Sequence, residues 1–353
     1  MIDSLEVRKL NNKITDKFHF NDDLNIITGD NGCGKTTILK LMWYLMSGNY
    51  EEIFEEIDFQ FAKIIFKSND FVSFEITEKK SEKYVKLIVD SKRKKLFYEK
   101  TLGLNNIDQF PKFYSDAGSY FFPTFRRIEG GFSINSTKKN NGKYRTNRLR
   151  ESLEVISENL NTGHNHKFIS SISTEDINYL LSNKYSQISD EIRKIDSVQS
   201  KSILTLVERT NDNEEKKSLA EIKEIVKDND TQKNKILKPF TVLSDLIDKI
   251  FKDKSIKIEN NLELGNTKKA INSNNLSAGE KQMLSFLCYN FFCDNSVIFI
   301  DEPELSLHID WQRILFPTLL RQKKGNQFII ATHSPFIYSK YQNKEIIIGE
   351  KSK

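Results

Sequence analysis

A glycine-rich segment near the start of the chain has the residue types and spacing of a phosphate-binding loop. It reads Gly29-Asp30-Asn31-Gly32-Cys33-Gly34-Lys35-Thr36 and is followed by Thr37. The glycines allow the backbone to curl so that N–H groups and the dipole of a following helix point at phosphate oxygens. We expect Lys35 to bind the β- and γ-phosphates of a nucleotide and the Thr36 hydroxyl to hold Mg²⁺.

A second segment places two acidic residues at the end of an apolar run. Residues 296–300 are apolar after the first, and Asp301 and Glu302 follow directly. This pattern is typical of a buried strand that delivers carboxylates to a site at its C-terminal end. We expect Asp301 to organise the Mg²⁺ shell and Glu302 to polarise the water that attacks the nucleotide.

A third segment, Asn275-Leu276-Ser277-Ala278-Gly279-Glu280-Lys281-Gln282, sets small residues at the start of an amphipathic helix. Ser277 followed three residues later by Glu280 predicts a capping box, so the helix is expected whatever its function.

The elements that must position these segments fall at the two ends of the chain. Periodicity predicts strands at 2–7, 24–28, 58–66, 71–77, 83–89, 120–125, 296–300, 327–331 and 345–348, and helices at 36–46, 278–291 and 309–321. Between 150 and 250 the apolar residues recur at three and four, which predicts amphipathic helices. Breaks at 161–163, 211–213 and 228–230 limit this part to a short hairpin or bundle.

Composition restricts the class of protein. The chain has 353 residues and 38% hydrophobic content, enough for a full-sized core. It shows no export signal and no apolar run of the roughly 18 residues that a membrane span needs, so a cytoplasmic protein is expected. Its three cysteines, Cys33, Cys288 and Cys293, are expected to be reduced, the last two as buried helix residues.

Positive charge is concentrated in one segment although the net charge is only +5. Residues 126–150 carry eight basic residues and one acid, namely Arg126, Arg127, Lys138, Lys139, Lys143, Arg145, Arg148, Arg150 and Glu129. This excess could attract phosphate or an acidic protein. The alternative is a solvated loop. The Asn, Gly and Ser content of residues 135–147 supports this alternative as well as the charge supports binding.

These segments, with Ala331-Thr332-His333, occur in the order seen in ABC-type ATPases, which the chain resembles. The resemblance implies an α/β P-loop NTPase fold with a mixed central sheet, an antiparallel β layer and a helical insertion between the phosphate loop and the signature segment. It places ATPase lobe I at 1–135, the basic loop and insertion at 136–265, and lobe II at 266–353.

The resemblance also assigns roles in a head-to-tail homodimer or larger homo-oligomer. Ser277 and Gly279, with Ala278 and Glu280, would cap the γ-phosphate held by the other subunit. His333 would contact the γ-phosphate and the water, and the turn from Glu304 to His308 would cross the interface. The family usually has a glutamine that joins the first lobe to the helical part. That position has no clear counterpart here, and Gln109 is the nearest candidate.

Two further resemblances narrow the branch. Asp301-Glu302-Pro303-Glu304-Leu305-Ser306-Leu307-His308 resembles the SMC, RecF and OLD branch, and the long stretch between Lys35 and Ser277 argues against a transporter subunit. Residues 121–131 resemble a segment of small ATPases from bacterial anti-phage systems such as PARIS. The stretch after His333 is too short for a nuclease domain, so a separate effector, such as a Toprim-type nuclease, is expected.

Three hypotheses stay open. The first is an ATP- and Mg²⁺-dependent switch that controls a separate effector in anti-phage defence. The second is a DNA-handling ATPase that binds DNA through 126–150, and the third is a nucleotide-bound scaffold with little turnover. The loop leaves ATP and GTP undistinguished, and His164-Asn165-His166 is interpreted as a polar loop rather than a metal site.

Overall fold

The structure is a computed structural model that describes residues 1–79, 81–124, 155–161, 165–170, 174–209, 215–250 and 277–349. The basic residues of 126–150, as well as Leu276 and His164, lie outside these ranges. The strands are β1 Ile2–Leu10, β2 Ile14–His19, β3 Leu24–Gly29, β4 Phe61–Phe66, β5 Phe71–Lys79, β6 Glu82–Ser91, β7 Leu96–Gly103, β8 Ser119–Phe122, β9 His166–Phe168, β10 Val297–Asp301, β11 Gln327–Ala331 and β12 Glu345–Ile348. The helices are α1 Lys35–Ser47, α2 Tyr50–Glu56, α3 Thr174–Arg209, α4 Glu215–Ile250, α5 Ala278–Phe292, α6 Ile309–Arg321 and α7 Pro335–Tyr338.

The central sheet has six parallel strands in the order β12-β3-β11-β10-β8-β9. Strands β10 and β11 are buried along their whole length, as expected for apolar strands covered on both faces. The predicted α/β fold is confirmed. The sequence predicts a mixed central sheet. In the structure the central sheet is wholly parallel, and the antiparallel strands form a separate sheet. Strand β9 falls in the predicted insertion, but it pairs with β8 and is an edge strand of the central sheet.

The second sheet is antiparallel, in the order β2-β1-β4-β5-β6-β7. Burial alternates along β4 and β6, so one side of this sheet faces the core. The antiparallel layer predicted from residues 58–89 is therefore confirmed.

One side chain joins the two sheets. The buried Gln327 amide, on β11, accepts a hydrogen bond from the Ile2 N–H at 2.8 Å and donates to the Ile2 and Asn21 carbonyls at 2.8 Å each. It pairs with the backbone of β1 as a neighbouring strand would, which fixes the antiparallel sheet against the central one.

Alternating side chains of the central sheet define two cores on its two faces. On β10, Val297 and Phe299 belong to the core shared with α1 and the antiparallel sheet. Ile298 and Ile300 belong to the other core, which includes residues of α5 and α6. Because side chains alternate along a strand, α1 and α5 lie on opposite faces of the central sheet.

Helices α3 and α4 form a hairpin of two 36-residue helices, each about 54 Å long at 1.5 Å per residue. Its base joins the second core through Ile177, Leu181, Leu243 and Ile247. The predicted break at 228–230 is wrong, because α4 continues through it. Asn229 is buried against α3, where its amide bonds the Gln199 side chain, and packing outweighs a propensity cost of several tenths of a kcal/mol.

The other minor predictions have different outcomes. Cys288 and Cys293 are buried at α5 and its C-cap, as predicted. His166 is not in a polar loop: it lies in β9, buried, with Nδ1 2.8 Å from the Ser119 hydroxyl. Burial lowers its pKa to about 4. Among the described residues no group of three or more His, Cys, Asp and Glu side chains is placed to hold a metal ion, and no described helix is long and apolar enough to cross a membrane.

Candidate functional site

Four neighbouring strands of the central sheet end at one edge and bring the predicted segments together. The order β3-β11-β10-β8 and the parallel register place Asp301 beside Ala331, and Ala331 beside Ile27. The glycine-rich loop after β3, the turn after β11, the acids at the end of β10 and the residues after β8 therefore share the carboxyl edge, where ligands bind in parallel sheets.

The glycine-rich loop has the backbone conformation that its glycines permit. Gly29, Gly32 and Gly34 all have positive φ angles, at 138°, 76° and 105°. A Cβ on Gly29 would lie 2.4 Å from the Ile348 carbonyl oxygen, so no other residue fits there. Helix α1 opens directly after the loop without a side-chain cap, which leaves its first N–H groups to face a phosphate.

Lys35 lies within the curve of the loop. Its side chain is buried, and the ammonium donates to the carbonyl oxygens of Gly29 and Asp30, at 3.0 Å each. Asp30, Asn31 and Gly32 are exposed at the loop's outer side. A lysine ammonium at the centre of a glycine-rich loop is an arrangement that binds polyphosphate. The Thr37 hydroxyl, in contrast, accepts a hydrogen bond from Asn11 at 3.2 Å.

Two hydroxyls converge on Asp301. The Thr36 hydroxyl donates to Asp301 Oδ2 at 2.9 Å, and the Thr124 hydroxyl, just past β8, donates to the same oxygen. Hydroxyl and carboxylate oxygens are the ligand types that Mg²⁺ prefers, so these residues fit the expected ion. When bound there, Mg²⁺ would neutralise charge on the transferring phosphate.

Thr124 is a site residue that the sequence analysis missed. Gln109, the candidate for the glutamine between the first lobe and the helical part, is exposed. It ends the 3₁₀ turn Leu104–Gln109 beside the antiparallel sheet. The signal that could have identified Thr124 is its position: it follows the buried run 119–122, which pairs in parallel with β10.

Glu302 leaves the sheet in a strained conformation. Its φ is 50°, which is uncommon for a residue with a side chain, and its N–H still donates to the Ala331 carbonyl at 2.9 Å. Its carboxylate lies 3.4 Å from His333 Nε2. Burial first, and then the neighbouring carboxyls of Glu304 and Asp301, raise the pKa of Glu302 to about 8, and Lys35 opposes this shift. A carboxyl group with this pKa is largely protonated at neutral pH, and its ionised fraction is a stronger base than an ordinary carboxylate.

The segment that opens α5 forms the predicted capping box. Ser277 N–H donates to the Glu280 carboxylate at 2.7 Å, and the Ser277 hydroxyl accepts from Glu280 N–H at 3.4 Å. A Cβ on Gly279 would lie 2.3 Å from the Ser306 carbonyl oxygen, so this glycine allows α5 to contact the turn after β10. Ala278 is exposed beside it.

These signature residues and the phosphate loop are at the same edge but on opposite faces. Gln282 of α5 donates to the Pro303 carbonyl at 2.8 Å, which fixes the start of α5 beside the carboxyl end of β10. Helix α1 begins at the loop and packs on the first face, whereas α5 begins at Ser277 and packs on the second. A single copy of the chain thus keeps Ser277 away from its own loop.

A glycine-rich phosphate loop between a central parallel strand and a helix, with an acidic strand end nearby, is the arrangement of a P-loop nucleotide-binding protein. The chain belongs to the family described as "AAA domain, putative AbiEii toxin, Type IV TA system", whose model matches residues 24–339.

Individual relatives are more distant. A segment of 75 residues is 36% identical to Endonuclease GajA of Bacillus cereus (strain VD045), covering 20% of this chain and 13% of that protein. Among solved structures, the Smc head domain of Pyrococcus furiosus, bound to the C-terminal domain of ScpA, aligns with 96% of this chain and 91% of that chain at 13% identity and a TM-score of 0.38. The recombination mediator protein RecF aligns with 96% and 94% at 12% identity and a TM-score of 0.38.

Proposed function

We propose that this protein is an ATP-hydrolysing switch in which two copies close head to tail around two nucleotides and hydrolysis reopens the pair. The observation that carries the proposal is the placement of the phosphate loop and Ser277 at one edge but on opposite faces of the central sheet. A second copy can supply the signature residues that each loop lacks, and a two-fold pair completes both sites.

In the proposed reaction, Lys35 and the loop amides bind the phosphates, and Thr36, Asp301 and Thr124 would hold Mg²⁺. Ser277 and Gly279 of the second copy contact the γ-phosphate. Glu302 accepts the proton of the attacking water, and His333, 3.4 Å from its carboxylate, orients that water.

The direct test measures nucleotide binding, turnover and molar mass for the wild type and two variants. Lys35→Ala is expected to lose nucleotide binding. Glu302→Gln is expected to retain ATP and Mg²⁺, to hydrolyse at least about 100-fold more slowly, and to run as a stable dimer because the closed state accumulates. Equal turnover by wild type and Glu302→Gln would contradict the assigned base. Parallel assays with GTP establish the nucleotide preference.

The proposed purpose of the switch is control of a separate effector in anti-phage defence. The resemblance of residues 121–131 to small defence ATPases supports this, as does the family description, which names a toxin. The matched segment of GajA covers too little of that protein to bring its endonuclease activity to this chain. A plaque assay tests the proposal in the native host: Lys35→Ala should abolish protection, and a protective Lys35→Ala strain would refute this purpose.

A second candidate, DNA handling, is favoured by the charge of 126–150. It predicts salt-sensitive binding to duplex DNA that weakens when Arg145, Arg148 and Arg150 are neutralised together. Unchanged affinity after this substitution would remove the basis for it.

A further inference from the structure

A carboxylate without an assigned role joins the ends of the two central strands. Glu304 lies in the turn after β10, and its Oε1 accepts two hydrogen bonds from the turn after β11. One comes from the Thr332 hydroxyl and the other from the His333 backbone N–H, both at 2.8 Å.

These contacts lie next to Glu302 and His333, the two residues proposed to act on the attacking water. His333 is exposed, and Glu302 has a positive φ angle of 50°. Thr332 is fully buried and its hydroxyl also accepts from Ser334 N–H at 3.0 Å, which makes it a fixed support. Glu304 thus joins the turn after β10 to the buried Thr332 and to the backbone of His333, whose side chain lies 3.4 Å from the Glu302 carboxylate.

We infer that Glu304 is a positioning residue for hydrolysis: it fixes the backbone of His333 and thereby holds the His333 side chain beside the Glu302 carboxylate, where the two orient the attacking water. Its hydrogen bonds go to Thr332 and His333 and not to the nucleotide loop, so it acts through His333. The inference rests on the proposed ATP hydrolysis and adds a residue to it.

The inference predicts a specific kinetic effect. Glu304→Ala removes the acceptor for both hydrogen bonds, so kcat is expected to fall about 10- to 100-fold, the range for losing hydrogen bonds to a charged group that orients a catalytic residue. KM for ATP and nucleotide affinity should change less than about twofold, because the phosphate loop is intact. Glu304→Gln keeps an acceptor oxygen and should retain kcat within about threefold of wild type.

A matched control separates positioning from general stability. Asp70 also accepts one hydroxyl, from Ser68 at 2.8 Å, and one backbone N–H, from Lys92 at 2.9 Å, but in a turn of the antiparallel sheet. Asp70→Ala loses the same kinds of bond and is expected to leave kcat unchanged at a temperature where all variants are folded by circular dichroism.

A double-mutant cycle with His333→Ala tests whether Glu304 acts through His333. If it does, Glu304→Ala should reduce kcat less than about threefold further in the His333→Ala background. Multiplicative losses, a raised KM, or a Gln variant as slow as the Ala variant would each overturn the inference. A wild type that hydrolyses ATP while Glu304→Ala keeps its kcat refutes this inference alone, whereas a wild type without ATP hydrolysis refutes the proposed function and the inference with it.

Discussion

Two inactive variants of this protein should restore activity to each other when mixed. The first is Lys35→Ala, which removes the ammonium enclosed by the phosphate loop. The second is Ser277→Asp, which alters the residue that opens α5 on the opposite face of the sheet. A pair that contains one copy of each has one site with both substitutions and one site with neither.

The size of each effect follows from the structure. Aspartate is as good an N-cap as serine, so Ser277→Asp should preserve α5. It places a negative charge opposite the γ-phosphate of the other copy, and two like charges about 4 Å apart repel by about 4 kcal/mol at an effective dielectric constant of about 20. This corresponds to a loss of about 1,000-fold. Ser277→Asn, which caps without charge, is the matched control and should lose much less.

The expected recovery is a simple fraction. Random pairing of equal amounts yields about half mixed pairs, each with one complete site of two, so the mixture should reach about a quarter of wild-type turnover. The assay mixes the nucleotide-free proteins, allows exchange of subunits, adds ATP and Mg²⁺, and measures phosphate release.

A second mixture serves as the negative control. Lys35→Ala mixed with the doubly substituted Lys35→Ala Ser277→Asp protein has no complete site in any pairing and should stay inactive. If the first mixture is no more active than its separate components while subunit exchange is demonstrated, then each chain uses its own Ser277 and the reasoning from the two faces of the sheet is refuted.

Three further predictions concern single residues. Thr124→Val removes a hydroxyl from Asp301 and should weaken Mg²⁺-dependent turnover about 10-fold or more, with Thr124→Ser close to wild type in a Mg²⁺ titration. Gly279→Ala forces a Cβ against the Ser306 carbonyl, so turnover should fall while equilibrium nucleotide binding to the single chain persists. Because burial lowers the pKa of His166, the unfolded state binds a proton more readily than the folded state. The free energy of unfolding should therefore fall by up to about 3 kcal/mol as pH decreases from about 6.5 to about 4, which urea unfolding at several pH values measures.

Much of the local geometry of the candidate site could be predicted because it depends on short segments. Gly29 to Thr36 needs only local glycine conformations and the start of a helix, and the acids at 301 and 302 directly follow their strand. The capping box at Ser277 is equally local, and the structure contains it.

The missed features depend on contacts between residues far apart in the chain. Thr124 meets Asp301 only because β8 and β10 are neighbours, and no periodicity in the sequence specifies that order. Asn229 continues a helix that its own propensity opposes, because α3 supplies a partner for its amide. His166 is buried because Ser119 accepts or donates at its ring nitrogen, a pairing that a single strand does not reveal.

The helical hairpin can act as a lever arm that amplifies a small rotation into a large displacement. Its base packs against α5, the helix whose first residues are proposed to meet the nucleotide of the other copy. An arm about 54 Å long converts a 5° rotation of its base into a displacement of about 5 Å at its far end. If the proposed closure rotates α5 by this amount, the far end of the hairpin moves by about one helical turn, at a distance where a separate molecule could respond to it.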